Sequence, residues 1–192
     1  PAPIQGRFWL SGSSLGSRVS AQAFFRTNGT ALGLGTQDSL VEFRAKTDSI
    51  GFTHCRFQQY FQGVKVDGAD CVLHERGGFV EKANGRLVTG LSPNMRVLIT
   101  PQQAIDSAIV HMGAQKYMWE DSLEEAEIKI EANDTAATYY PIPELVLIKS
   151  FTSNSWAADS FRLTYRVPVE SQVPHNSVAW FIDVQTGEIF RR

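Results

Sequence analysis

Alternating apolar and polar positions along the chain predict two runs of β-strands, each preceded by an α-helix. In the first half, Val19, Ala23 and Phe24 recur at helical spacing, which predicts a helix over about residues 18–27 with Ser17 as its cap. Strands are expected at residues 41–46, 53–61, 64–74 and 79–88, where apolar side chains alternate with polar ones.

The second half opens with the clearest helix signal in the chain. Thr100 is a good N-cap, Pro101 suits the first helical position, and Gln103 completes a capping box. Gly113 is expected to end this helix, and a shorter helix is expected at residues 122–131 with Asp121 as its cap. Further strands are expected at residues 144–149, 161–169, 177–184 and 188–191.

A helix followed by antiparallel strands is typical of the α+β class, in which the helix packs on one face of a curled antiparallel sheet. Because this order occurs twice, with a break at about residues 91–100, we expect two domains. The predicted boundaries are an N-terminal arm at residues 1–17, a first domain at 18–98 and a second at 99–192.

Composition and charge exclude several classes of partner. Lys and Arg number 18 against 20 Asp and Glu, so a net charge of -2 gives no basic surface for nucleic acid or for an anionic membrane. The longest apolar runs, such as residues 145–148, have the length of a strand and are far too short to span a bilayer. We therefore expect neither a nucleic-acid partner nor a membrane partner.

The sequence offers no recognisable catalytic motif. His74-Glu75 opens like a zinc-protease helix, but Gly77 follows closely and no second histidine completes the motif. Asp67, Asp70 and Glu75 could be drawn as a carboxylate cluster, but the expected interpretation is a solvated strand face. We therefore predict a chain that is not an enzyme, with no catalytic residue, metal ligand or cofactor of its own.

Two segments resemble the pro-regions of thermolysin-type proteases. Residues 53–63, which read THCRFQQYFQG, are similar to the Thr-His-x-Arg-Phe-Gln-Gln-x-x-x-Gly signature of the fungalysin/thermolysin propeptide (FTP) domain. Past Thr100, residues 101–108, 116–121, 139–146 and 163–167 resemble a PepSY domain, and residues 181–188 resemble its closing Phe-x-Asp-x-x-Thr-Gly-Glu hairpin. FTP followed by PepSY is the order found in these precursors.

This resemblance implies two cystatin-like domains in a secreted precursor, extracellular or periplasmic. It also implies a function: the pro-region would act as an intramolecular chaperone and inhibitor of its own thermolysin-type zinc metalloprotease. The catalytic domain of that protease would be the partner and would carry zinc and calcium. Lys65 and Asp67 depart from the family, which often has Pro and a large aromatic there, and Cys55 and Cys71 replace its usual aliphatic residues.

Two sets of residues are candidates for binding the protease. Arg56, Gln58 and Gln59 could form a docking surface, or the glutamines could bond loops while Phe57 and Phe61 fill the core. The chain end could enter the active-site cleft as an extended segment, because such clefts bind extended peptides. That second set consists of Ile189, Phe190, Arg191 and Arg192.

The two cysteines bear on the register of the hairpin. Turns at residues 62–63 and 67–68 both fit the local sequence, and the register of the family favours the first. That turn places Cys55 opposite Asp70, and a bulge at Gly68 would bring Cys71 opposite Cys55. We therefore predict that the two cysteines lie on neighbouring strands, close enough for a disulfide if oxidised.

Two other functions remain as alternatives. The chain could be a free-standing extracellular protease inhibitor, which the downstream reading frame would decide through the presence or absence of a His-Glu-x-x-His motif. It could also be a cystatin-like module that binds a small molecule, for which an apolar cavity between helix and sheet would be the sign.

Overall fold

The computed structural model of the chain describes residues 6–16, 18–150 and 156–191, which divide into two structural units. Unit 1 contains the chain up to Asn94 together with residues 147–162, and unit 2 contains residues 95–146 and those from 163 onward. The division after Asn94 lies close to the predicted boundary at residue 98. The return of residues 147–162 to unit 1 differs from the prediction, because sequence patterns describe a domain as one continuous stretch.

Unit 1 is an antiparallel sheet with one helix packed on it. Its elements are β1 (Gly6–Ser11), α1 (Ala21–Asn28), β2 (Asp38–Thr47), β3 (Thr53–Phe61), β4 (Val64–Arg76) and β5 (Phe79–Leu87). Within the unit the strands lie in the order β1-β5-β4-β3-β2, every neighbouring pair antiparallel. Helix α1 contacts β4 and β5, which confirms the predicted helix on a sheet.

The core of unit 1 lies between α1 and the inner face of this sheet. Phe24 of α1 is fully buried, and a buried side chain of this size contributes roughly 1.5–3 kcal/mol. The remaining core residues alternate along the strands, as the sequence predicts. They include Cys55, Phe57, Cys71, Leu73, Val80, Ala83 and Leu87.

The start of α1 differs from the prediction. The helix begins at Ala21 after Ser20, whose side chain makes no capping bond, while the predicted cap Ser17 lies outside the described residues. The free N–H of Ala21 instead donates to Glu75 Oε2 of β4 at 2.6 Å. The carboxylate of Glu75, on strand β4, therefore accepts one of the N–H groups that are unpaired at a helix N-terminus.

The predicted N-terminal arm is also different in the structure. Residues 6–11 form β1 and pair with β5 along their whole length, from Gly6 opposite Leu87 to Ser11 opposite Lys82. Leu15, in the short 3-10 helix that follows, is buried in the core. The described part of the arm is therefore a structural piece of unit 1. Sequence alone missed it because a strand of six residues that begins with a glycine gives too short a pattern.

Unit 2 also combines helices with antiparallel strands, which places the chain in the α+β class. Its elements are α2 (Pro101–Met112), β6 (Lys116–Tyr117), α3 (Ser122–Glu131), β7 (Glu144–Lys149), β8 (Phe161–Val173), β9 (His175–Asp183) and β10 (Ile189–Arg191), of which β7 and β8 also extend into unit 1. Strand β9 pairs with β8 on one side and β10 on the other, and α2 contacts β9. The cystatin-like description of both units stays a prediction.

The predicted caps of α2 and α3 are confirmed. Thr100 Oγ1 accepts from the Gln103 N–H at 3.2 Å, and Gln103 Oε1 accepts from the Thr100 N–H at 2.7 Å, which is the reciprocal capping box. Gly113 ends α2 in the left-handed region with φ of 60°. Asp121 Oδ1 accepts from the Leu123 N–H at the start of α3. Local sequence therefore determines where these helices begin and end.

Candidate functional site

The β3–β4 hairpin turns at Gln62 and Gly63. Phe61 lies opposite Val64, and both turn residues have positive φ, 49° and 79°. Two successive residues of this kind are typical of the tight hairpin turn whose twist matches that of the strands. Of the two turns that the sequence allowed, the structure has the one at residues 62–63.

A bulge of three extra residues interrupts β4 just after this turn. Tyr60 lies opposite Lys65, but Gln58 lies opposite Asp70. Between these two pairs β3 has one residue, Gln59, whereas β4 has the four residues 66–69. The side chain of Gln58 points at this segment, and its Nε2 lies 2.8 Å from the Val66 carbonyl oxygen and 3.0 Å from that of Ala69. The side-chain amide of Gln58 therefore donates to backbone carbonyls of the bulge, where the regular hydrogen-bond pattern between the strands is interrupted.

Gln59 is fully buried and bonds three groups from other segments. Its Oε1 accepts from the Val88 N–H at 2.9 Å, and its Nε2 donates to the Val88 carbonyl at 2.6 Å and to Asp38 Oδ1 at 2.9 Å. The side chain therefore holds the residue after β5 and the first residue of β2 against β3. With Phe57 and Phe61 also buried, the geometry favours the structural interpretation of both glutamines.

Arg56 is exposed, in contrast to the two glutamines, on the outer face of β3. Its partner across β2 is Arg44, which is also exposed. Like charges directly opposite each other on neighbouring strands repel. Val41 and Phe43 of the same edge strand are 50% and 58% exposed. We call these four residues the outer patch: two facing cations next to two exposed apolar side chains.

The cysteines lie on neighbouring strands, as predicted, but are not opposite each other. Cys55 faces Leu73 and Cys71 faces Phe57, a diagonal relation for which side chains stand roughly 7–8 Å apart. Both thiols are free and buried, and burial raises the pKa of each. No disulfide joins them in the structure, and the predicted position of Cys71 opposite Cys55 is wrong. The reason is the bulge, since its three extra residues carry Cys71 past the position opposite Cys55.

The chain end forms the last strand of unit 2. In β10, Ile189 lies opposite Ile182, Phe190 opposite Phe181, and Arg191 opposite Trp180. Ile189 and Phe190 are half-buried, and Arg192 lies outside the described residues. The structure thus places the predicted inhibitory segment in an edge strand, where one side of its backbone is paired.

Four polar side chains form a chain of short contacts on the outer face of unit 1. Asp48 Oδ2 lies 3.0 Å from His54 Nε2, His54 Nδ1 lies 2.7 Å from His74 Nδ1, and His74 Nε2 lies 2.6 Å from Asn84 Oδ1. The two histidines are directly opposite each other on β3 and β4. Sequence reasoning missed this cluster because its histidines are 20 residues apart and match no motif.

Two close approaches of the backbone require glycine. At Gly85 of β5, with φ of 146°, a Cβ atom would collide with the Asp70 carbonyl oxygen and with Cys71 Cα. At Gly68 in the bulge, with φ of 70°, a Cβ atom would lie 3.0 Å from the Trp156 ring. Arg86 covers that ring at 3.7 Å from its centroid. The bulge is therefore packed against aromatic and cationic neighbours.

A groove of about 530 Å³ runs between α1 and β2. Its walls are mixed, with Phe25, Leu34 and Phe57 beside Arg26 and Asp38. Because apolar and polar side chains both line the groove, the alternative of a small-molecule-binding module stays a prediction. Of the carboxylates Asp67, Asp70 and Glu75, the last accepts the Ala21 N–H at the start of α1.

Residues 38–87 match the family model of the fungalysin/thermolysin propeptide motif, FTP. The match extends from the first residue of β2 to the last residue of β5 and so contains the hairpin, the bulge and the histidine pair. It covers the FTP part of the expected resemblance, and the PepSY assignment of the second half stays a prediction. No curated protein matches the chain significantly. Among the described residues, no helix is both long and apolar enough to cross a membrane.

Proposed function

We propose that this chain is the pro-region of a secreted thermolysin-type zinc metalloprotease, and that it assists the folding of the catalytic domain and then inhibits it. The observation that carries this proposal is the propeptide motif at residues 38–87, which coincides with four complete strands of unit 1. An absence of recognised catalytic motifs in the sequence is consistent with a binding role. The zinc and calcium would belong to the partner.

The outer patch is our candidate for the docking surface on unit 1. Arg44 and Arg56 repel each other in the free chain, and an acidic surface on the protease would remove that repulsion. Val41 and Phe43 would supply apolar contact beside the charges. Of the residues first expected at this interface, only Arg56 keeps this role, because Gln58 and Gln59 are bonded within unit 1.

The chain end is our candidate for the inhibitory element. One side of β10 pairs with β9, and in the structure β10 is the last strand in the sheet order. An extended strand of this kind can add to an edge strand of a peptide-binding cleft through its second side. Ile189, Phe190, Arg191 and Arg192 would then lie in or beside the cleft, with the two arginines contributing charge.

A three-residue strand is too small to bind tightly alone, so both units must contribute contact area. We expect a total buried area on the order of 2,000 Å² or more, as in stable protein complexes. The same surface explains the chaperone role, because a partner that binds only the folded protease stabilises that state.

The test is to refold the denatured catalytic domain of a thermolysin-type protease with and without this chain, and to assay the native protease for inhibition. We expect a higher yield of active enzyme and a lower activity of the native enzyme. A chain truncated before Ile189 should still improve the yield but inhibit less. If neither yield nor activity changes at high concentrations of the chain, the proposed function is wrong. A free-standing inhibitor would inhibit without improving the yield.

A further inference from the structure

Arg7 and Arg86 lie directly opposite each other on the neighbouring strands β1 and β5 of unit 1. Like charges in this relation repel each other. Both side chains line a pocket of about 340 Å³, and Asp70 lines it as well. Two positive charges therefore share the pocket with one negative charge, and its net charge is positive in the free chain.

The ring of Trp156 holds the Arg86 guanidinium in place. The central carbon of the guanidinium lies 3.7 Å from the ring centroid, and both side chains are half-buried. A stacked ring covers the flat face of a guanidinium, whereas the five N–H donors lie in its plane. Stacking therefore orients the donors of Arg86 without using them.

A second stacked arginine in the same unit shows what Arg86 lacks. Arg76 lies over the Phe52 ring at 4.4 Å, and its Nε and Nη2 donate to the two carboxylate oxygens of Glu81 at 3.1 and 3.0 Å. This is the bidentate pairing for which the planar guanidinium is suited. Among the described residues Arg86 has no such carboxylate, and its Nε is buried without an acceptor.

The pocket thus combines two facing cations with a donor group that is already oriented. We propose that Arg7 and Arg86 form a binding site for a carboxylate group, with Trp156 as the residue that positions Arg86. A bound carboxylate would accept hydrogen bonds from Arg86 and offset its repulsion with Arg7. Burial and Arg7 lower the pKa of Arg86 while Asp70 raises it, so a second anion would act in the same direction as Asp70. This inference does not depend on the proposed propeptide function.

The neighbouring Trp9 favours a carboxylate that belongs to a protein over a free small acid. Trp9 lies two residues after Arg7, so the two side chains share one face of β1. It lines the same pocket and is 63% exposed. A peptide that carries an acidic residue can contact the Trp9 ring with its other side chains, which a small acid cannot do. We therefore expect an acidic peptide to bind more tightly than acetate.

The decisive measurement is NMR of the arginine Nε–Hε groups during a titration with sodium acetate, with sodium chloride keeping the ionic strength constant. We expect the signals of Arg7 and Arg86 to shift and to saturate, and the signal of Arg18 to stay unchanged. Arg18 is the control because it also lies over an aromatic ring, that of Phe79 at 4.5 Å, but does not line this pocket. A blocked peptide with one central glutamate, and the same peptide with glutamine instead, repeat the titration with a protein-like ligand.

Variants provide the second arm. Arg7→Gln should weaken acetate binding about three- to fivefold, which is the range of one exposed ion pair. Asp70→Asn should strengthen it, because this change removes the negative charge that competes with the ligand. Arg18→Gln should bind acetate like the wild type.

Two results would overturn the proposal. If the Arg86 signal responds to acetate and to chloride alike, or if Arg7→Gln binds acetate as tightly as the wild type, the carboxylate site is refuted and Arg86 only packs on Trp156. If acetate binds but the glutamate peptide binds no more tightly, a protein partner is excluded and the site takes small free acids.

Discussion

Replacing Gln59 with leucine tests whether the motif glutamine is structural or takes part in docking. The change keeps a similar volume, so little cavity energy is expected. It removes both hydrogen bonds to Val88, whose backbone N–H and carbonyl would then be buried without a partner. Each unsatisfied buried group costs roughly 1–3 kcal/mol. Asp38 also loses a donor, but it is half-exposed and can bind water.

The sum predicts that Gln59→Leu lowers the free energy of unfolding of unit 1 by about 2–6 kcal/mol. This is a large fraction of the 5–15 kcal/mol that is typical of a domain, so the variant should be visibly less stable but still folded at low temperature. The assay is native-state hydrogen exchange read by mass spectrometry, because it reports peptides from β3 and β5 separately from those of unit 2.

Gln22→Leu is the matched control, since it makes the same chemical change at an exposed position of α1. It should alter stability by no more than about 0.5 kcal/mol. If Gln59→Leu changes the stability of unit 1 as little as the control does, the structural interpretation of Gln59 is wrong. Loss of protease inhibition with unchanged stability would show that Gln59 takes part in docking.

Three further predictions follow from single contacts. Gly85→Ala should destabilise unit 1 by about 3 kcal/mol or more in urea denaturation, because its Cβ collides with Cys71 and Asp70, whereas Gly35→Ala has room and should be nearly neutral. Arg56→Glu should slightly stabilise the free chain, because it removes the repulsion with Arg44. It should also weaken inhibition of the protease at least tenfold. Equal inhibition by the variant and the wild type would contradict the proposed docking surface. A hydrogen bond from Lys116 lowers the pKa of Asp121 from 3.8 to about 2. Between these two values the folded state binds fewer protons than the unfolded state. The stabilisation that results is present above pH 3.8 and is lost as the pH falls toward 2. Acid unfolding of unit 2 should therefore be less steep across that interval in Asp121→Asn than in the wild type, and identical slopes would refute the assignment.

Much of the fold follows from local sequence signals. The helix α2 has its capping box, proline and terminal glycine within its own segment, so its bounds could be predicted closely. Strand β3 and helix α3 also have the predicted bounds. In each case the pattern that defines the element lies inside the element or next to it, and distant contacts reinforce it.

What the sequence could not predict depends on contacts between distant segments. The cap of α1 comes from Glu75, far along the chain, because Ser20 makes no capping bond. The bulge in β4 depends on Gln58, whose amide finds carbonyls that only the folded hairpin brings together. The histidine pair depends in turn on that register. The prediction allowed one extra residue at Gly68 where the strand has three, and it therefore placed Cys71 opposite Cys55 instead of opposite Phe57.

The hairpin also explains where recognition of a protease can lie. Within the segment that matches the propeptide motif, the two glutamines are bonded inside unit 1 and the buried phenylalanines fill its core, so these side chains maintain the fold. A partner can contact only what remains outside, and there the facing arginines on β2 and β3 lie beside two exposed apolar residues. If the proposed function is right, exchange of the outer patch between this chain and another that carries the same motif should transfer preference for a protease, whereas exchange of the glutamines should alter stability alone. A swap of the outer patch that leaves preference unchanged would place recognition elsewhere, with the strand at residues 189–191 as the next candidate.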